Sequence, residues 1–161
     1  MEAAASLAVS LAWALEKTNT GFNDAKQKGS LSYNVSPAVG TYNQLFAARY
    51  TIAAAGTQAV DFYSFTNLAG ESVTATKMYA VMIKVTGAGS TIVLEPHGTN
   101  GLTWFFGGTN PTITMPGSAT GSLFVFSEGG TEVLSATVRK FLLTNSGGSS
   151  ATVDVVAIVG T

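Results

Sequence analysis

The sequence predicts an all-β fold, an antiparallel β-sandwich of jelly-roll-like type with about eight to ten strands. Three observations carry this expectation. Short runs rich in Val, Ile, Thr, Tyr and Phe recur along the whole 161-residue chain. Clusters of Gly, Asn, Ser and Pro interrupt them every ~8–12 residues, the rhythm of sandwich and barrel folds. The most strand-like run, Lys77-Met-Tyr-Ala-Val-Met-Ile-Lys-Val85, is apolar on both of its alternating faces, as befits the middle of a sheet.

Taken in order, Leu7, Val9, Leu11, Trp13 and Leu15 alternate with Ala8, Ser10, Ala12 and Ala14, a period of two that predicts a strand. Alanine and leucine leave a helix open there as an alternative. Glu16 to Ser30 is polar and reads as a loop, and Leu31–Val35 as a short strand stopped by Pro37 and Gly40. The segment from Gln44 to Ala54, in which Leu45–Ile52 could be helix or strand, and Ala59–Tyr63 are taken as two strands around the break at Gly56-Thr57. Ser64–Leu68 has no period and reads as a connection. In the central run Tyr79, Val81, Ile83 and Val85 fall on one face, Met78, Ala80 and Met82 on the other. Gly87–Ser90 supplies turn chemistry, Thr91–Leu94 reads as the returning strand, and Leu102–Phe106 as a third antiparallel strand. Thr112–Met115, Leu123–Phe126, Ala136–Leu143 and Thr152–Val159 follow, the last two as a hairpin around Asn145–Ser150. No internal repeat and no domain boundary is visible. The expectation is a single sandwich domain over 1–161, with 1–30 as an N-terminal strand or arm available for subunit contacts.

Composition narrows the function classes. A chain of this length buries a core without covalent staples. It has no cysteine, so no disulfide framework and no thiolate metal site. The net charge of −1 gives no bulk attraction to nucleic acid or anionic lipid. Charged residues make up 11% of the chain, against roughly 25% in an ordinary soluble domain. Because interface cores are depleted of charge, this points to a surface that meets other subunits. The apolar stretch Ala3–Leu15 is preceded by Glu2 rather than by basic residues and is not followed by a small-residue cleavage site, so it is not read as a signal peptide. At about 13 residues it is also too short to span a bilayer as a helix.

No motif announces a chemistry. His97 is the only histidine and sits in the turn Glu95-Pro-His-Gly98, with no nucleophile beside it and Glu95 as the one nearby ligand type. The acidic residues are scattered, and a pair such as Asp61 and Glu71 would have to be assembled in space to act as paired carboxylates. Gly87-Ala-Gly89 and Gly107-Gly108 lack the frame of a phosphate loop. Trp104-Phe-Phe106 forms the sharpest aromatic cluster. On a strand it fills a core, or, with an exposed tyrosine such as Tyr63, offers a stacking platform for a sugar. Arg139 and Lys140 belong to no basic stripe. Asn34-Val-Ser36 matches a glycosylation triplet but is followed by Pro37 and reads as chance. The residues thus suggest no catalytic, cofactor or metal site. A glycan-binding module or adhesin is the alternative to a structural role.

Two stretches carry a resemblance. Asp61-Phe-Tyr-Ser-Phe-Thr-Asn-Leu68 followed by Val73–Val85 is one, and Arg139-Lys-Phe-Leu-Leu-Thr-Asn-Ser-Gly-Gly-Ser-Ser150 followed by Val153–Gly160 is the other. Over residues 57–161 the chain resembles small all-β virion structural proteins of tailed bacteriophages, of the head-decoration or fibre type. The resemblance implies a non-enzymatic capsid or tail component with no catalytic residues, made in the host cytoplasm and resident in the virion. It implies a homo-oligomer, a trimer by preference, bound to capsid or other virion proteins and to neither nucleic acid nor membrane.

Overall fold

Strand β7 (Lys77–Thr86) lies inside the larger of two facing sheets and sets the layout. The computed structural model describes residues 7–17, 25–35, 44–67, 70–102, 112–117, 121–126 and 132–161, and among them there are strands and turns but no helix. The remaining strands are β1 (Leu7–Lys17), β2 (Ala25–Val35), β3 (Gln44–Ile52), β4 (Thr57–Asp61), β5 (Ser64–Thr66), β6 (Ser72–Thr74), β8 (Thr91–Pro96), β9 (Ile113–Pro116), β10 (Gly121–Phe126), β11 (Glu132–Val133), β12 (Lys140–Asn145) and β13 (Ala151–Gly160). One sheet has the order β10-β7-β13-β3, with β11 also on β7, and the other β4-β12-β8-β9. All ladders of the two sheets are antiparallel. The fold is therefore an all-β sandwich, as the sequence predicts. The thirteen strands among the described residues exceed the expected eight to ten by the short pieces β5, β6 and β11.

The pairing has a simple logic. β8 pairs β9, β7 pairs β10, β4 pairs β12, and β3 pairs β13. These are the rungs of one long antiparallel hairpin with its tip between β8 and β9. Rolling that hairpin up adds the ladders β7–β13 and β8–β12. Every connection between successive sandwich strands crosses from sheet to sheet, except those from β8 to β9 and from β10 to β11.

This corrects two expectations. β7 and β8 are not hairpin partners, nor are β12 and β13; each pair is split between the sheets. The turn chemistry was read properly, since Gly87 and Gly89 have φ of 137° and 76° and Ser90 N–H closes onto Gly87 O at 3.2 Å. Turn residues dictate that the chain reverses, not whether it reverses within a sheet or across to the other. The third strand of that expected meander lies mostly in 103–111, outside the described residues; Leu102 itself is buried.

Three boundaries also move. β2 begins at Ala25 rather than after Ser30, because Ala25–Ser30 is carried in register along β1 from Lys17 to Ala12 despite its polar composition. Ser64–Thr66 is not a mere connection but pairs Ser72–Thr74 in a small hairpin too short to show a period. β12 begins at Lys140 rather than Ala136, because Ser135 and Val138 exchange main-chain hydrogen bonds in a turn.

The core fills the space between the two sheets. Met78, Val81, Ile83 and Val85 of β7 and Val153, Val155, Ala157 and Val159 of β13 meet Ile92, Leu94, Phe141 and Leu143 of the opposite sheet. A chain of aromatic contacts, Phe65–Phe46–Phe62–Phe141, spans one end with centroid separations of 5.2, 5.0 and 5.1 Å. Two of these contacts are edge-on, the arrangement ring quadrupoles favour.

β7 departs from its expected alternation at Tyr79. The ladder to β13 passes from Ala80↔Ile158 to Met78↔Val159, so Tyr79 is an extra residue opposite none, a β-bulge. The bulge moves Met78 into the core with Val81, Ile83 and Val85, the face predicted for Tyr79. Beyond it the strand is not apolar-covered on both sides, because Met82 and Lys84 are exposed.

Candidate interaction surface

The outward face of the five-stranded sheet is built from alternate residues of β3, β13, β7 and β10, and the registers arrange them in rows across the strands. One row is Leu45, Ile158 and Ala80. The next is Ala47, Val156, Met82 and Phe124. The third is Arg49, Asp154, Lys84 and Ser122, and the fourth is Thr51, Thr152 and Thr86. Two adjacent rows are therefore apolar, bordered on one side by a charged row and then by threonines.

The large exposed hydrophobic residues on the described surface are Leu45 (42% exposed), Met82 (41%) and Phe124 (36%), and all three sit in those two rows. Single exposed apolar residues need no explanation, but a contiguous set marks an interaction face. The outer face of the opposite sheet is different: Thr57, Val93, Glu95, Thr114, Leu142 and Thr144 are small, polar or half-buried. The apolar rows open into a shallow concavity of about 460 Å³ lined by Ala47, Ala48, Arg49, Met82, Lys84, Asp154 and Val156.

The charged border is ordered. Arg49 donates from Nε to Asp154 Oδ1 at 2.6 Å and from its second guanidinium nitrogen to Oδ2 at 3.1 Å, a bidentate pair across the β3–β13 ladder. The hydrogen bond from Arg49 holds the Asp154 carboxyl below its ordinary range, with Lys84 adding to the effect. The same pair raises the Arg49 guanidinium above its usual value. Both groups are well solvated, so the pair fixes side-chain geometry more than it stabilises the fold.

The residues singled out in sequence are held by local partners. His97 closes its own turn, its Nδ1 meeting the Thr99 main chain, while the His97 N–H donates to Lys140 O at 3.4 Å. The nearby Glu95 carboxylate accepts a long bond from Thr144 Oγ1. Asp61 accepts from the Tyr63 N–H at 3.0 Å and pairs with Arg139 at 3.2 Å and Lys140 at 3.8 Å. Glu71 accepts from Asn67 Nδ2 at 2.9 Å within the β5–β6 hairpin. Asp61 and Glu71 thus have separate partners and share none. Tyr63 is half-buried against the core with the Arg139 guanidinium 5.9 Å from its ring centre, so one ring face is already covered. Trp104-Phe-Phe106 and Ser36 of the glycosylation triplet lie outside the described residues. No group of three His, Cys, Asp or Glu converges as a metal site among the described residues.

No protein-family model and no curated protein matches this chain.

The apolar face was not legible as a surface from the sequence alone. Met82 falls on one face with Met78 and Ala80 in a run that reads as covered on both sides. Lys84, two residues along on the same side, is the one sign that this end of the face meets solvent.

Proposed function

We propose that this chain is a non-enzymatic structural protein that assembles with copies of itself as a virion component, of the capsid-decoration or cement kind. The observation that carries this reading is the contiguous apolar face of Leu45, Ala47, Met82, Phe124 and Val156, on a chain with only 11% charged residues. Such a face costs solubility in a lone molecule and is removed from water by a neighbour. The strand order also supports it. Counting the eight main sandwich strands along the chain, the sheets run 1-8-3-6 and 2-7-4-5, an order we read as a jelly roll, an architecture common among capsid proteins. In this reading the sandwich is a rigid body, its partners are copies of itself and other virion proteins, and a trimer is the preferred state. It contacts neither nucleic acid nor membrane and resides in the virion after synthesis in the host cytoplasm.

Light scattering coupled to size exclusion tests it directly. The expected mass is a multiple of the 16.5 kDa chain, three-fold by preference. A 16.5 kDa particle persisting at high concentration, with no binding to capsid shells, overturns the reading.

A further inference from the structure

We propose that the apolar outer face of the five-stranded sheet is the seat of the β1–β2 ribbon of a second copy of this chain. The inference rests on the self-assembly reading and names the element that would mediate it. Two surfaces motivate it. The first is the ribbon. β1 and β2 pair in register from Leu7↔Val35 to Lys17↔Ala25 and, among the described residues, form a sheet only with each other. Register puts Leu7, Val9, Leu11, Trp13 and Leu15 opposite Val35, Tyr33, Leu31, Gly29 and Gln27, so one face of the ribbon collects nearly all its large apolar residues. The other face takes Ala8, Ser10, Ala12 and Ala14 with Asn34, Ser32, Ser30 and Lys28. An isolated two-stranded ribbon is marginal in water and gains stability from a surface it can lie on.

The second surface is the exposed pair of rows around Met82. The widths are compatible, while the 11-residue ribbon, about 36 Å long, extends beyond the sheet. Two rows of a sheet occupy about 14 Å along the strands, and four strands span about 19 Å across them. A two-stranded ribbon is about 10 Å wide, so one lying across the strands, in the orthogonal packing sheets adopt, covers both rows and stops at the Arg49–Asp154–Lys84 border. The copy supplying it is another one. Leu45, Met82 and Phe124 are exposed in the single chain, so the surface that covers them comes from outside it.

The chain has no cysteine, which allows a clean cross-linking test. Leu11 is the middle rung of the ribbon's apolar face and Met82 lies near the centre of the two rows, so the two approach each other whichever way the ribbon points. Full-length Leu11→Cys and Met82→Cys proteins are mixed and mildly oxidised. The expected product is a heterodimeric disulfide carrying one of each, well above either homodimer. A second variant, Phe124→Glu, is expected to weaken assembly at least about tenfold while its circular dichroism and Tm stay unchanged. A Met82 homodimer as the main product overturns the inference in favour of sheet-to-sheet contact. An intramolecular disulfide in the Leu11→Cys/Met82→Cys double variant at high dilution overturns it in favour of the chain's own ribbon. If the unmodified chain assembles but neither the cross-link nor the Phe124→Glu effect is seen, only this inference falls. If the unmodified chain is monomeric, the self-assembly reading falls with it.

Discussion

Asn145 shows how much one side chain can fix in a fold made of crossings. It is wholly buried at the end of β12. Its Nδ2 faces the carbonyls of Ile52 at 3.0 Å, Ala53 at 3.1 Å and Ser149 at 2.8 Å, and its Oδ1 accepts from the main-chain N–H groups of Gly147 at 3.0 Å and Thr91 at 3.4 Å. Those partners lie on the β3–β4, β12–β13 and β7–β8 crossings, so one amide ties three sheet-to-sheet turns together. The same corner is tight: a Cβ on Gly147 would meet Gly89 O, Ser90 Cα and Thr91 N, each at 2.6 Å. Removing the amide leaves buried main-chain groups without partners, each costing about 1–3 kcal/mol. Asn145→Ala is therefore expected to destabilise the fold by roughly 2–4 kcal/mol, read as a lower urea midpoint at unchanged m. A loss below about 0.5 kcal/mol would mean that water replaces the amide at this corner. Nothing in the sequence separated this asparagine from the turn residues after it. Asn-Ser-Gly-Gly is turn chemistry in any context, and only the packing of three distant crossings distinguishes a lock from a loop.

At the scale of the element, β7 carries the sharpest test of what alternation means. Ile83 is fully buried between the sheets, while its neighbour Met82 lies on the open face. Ile83→Ala deletes core atoms and leaves a cavity, an expected loss of roughly 2–5 kcal/mol. Met82→Ala changes a solvent-exposed position, with an expected effect on stability within about 0.5 kcal/mol. Paired urea titrations measure both, in dilute protein so that assembly does not contribute. Comparable losses at the two positions would show that Met82 is covered in the isolated chain. The sequence placed the strand and its central position correctly, because Val, Ile and Tyr in alternation need a half- or wholly-covered pleat. It placed the faces correctly only from Ala80 onward. A bulge at Tyr79 shifts the phase by one, and a phase shift has no signature in a run apolar at nearly every position. The same limit hid the partners of β8 and β13, since periodicity reports what covers a strand and not which strand lies beside it.

For the whole molecule, the rolled hairpin separates what holds the sandwich together from what lies before it. The first sandwich strand, β3, pairs β13, the last, from Gln44↔Val159 to Ile52↔Ala151. The two ends of the sandwich are thereby zipped to each other. Among the described residues, β1 and β2 contribute no ladder to either sheet. A chain beginning at Gln44 should consequently fold. Its expected behaviour is a strand-rich circular dichroism spectrum and one cooperative urea transition within about 1 kcal/mol of the full chain, provided the full chain is measured where it is monomeric. Folding should still be slow for its size, in the range of milliseconds to seconds, because the β3–β13 ladder closes only after nearly the whole chain is in place. The truncated chain should also lose the concentration-dependent mass of the full one, since it keeps the apolar sheet face but has no ribbon to offer a neighbour. Loss of folding would place the ribbon inside the cooperative core. Folding with assembly intact would move the contacts between copies to the sandwich itself, where β3, an edge strand among the described residues, carries the exposed Leu45.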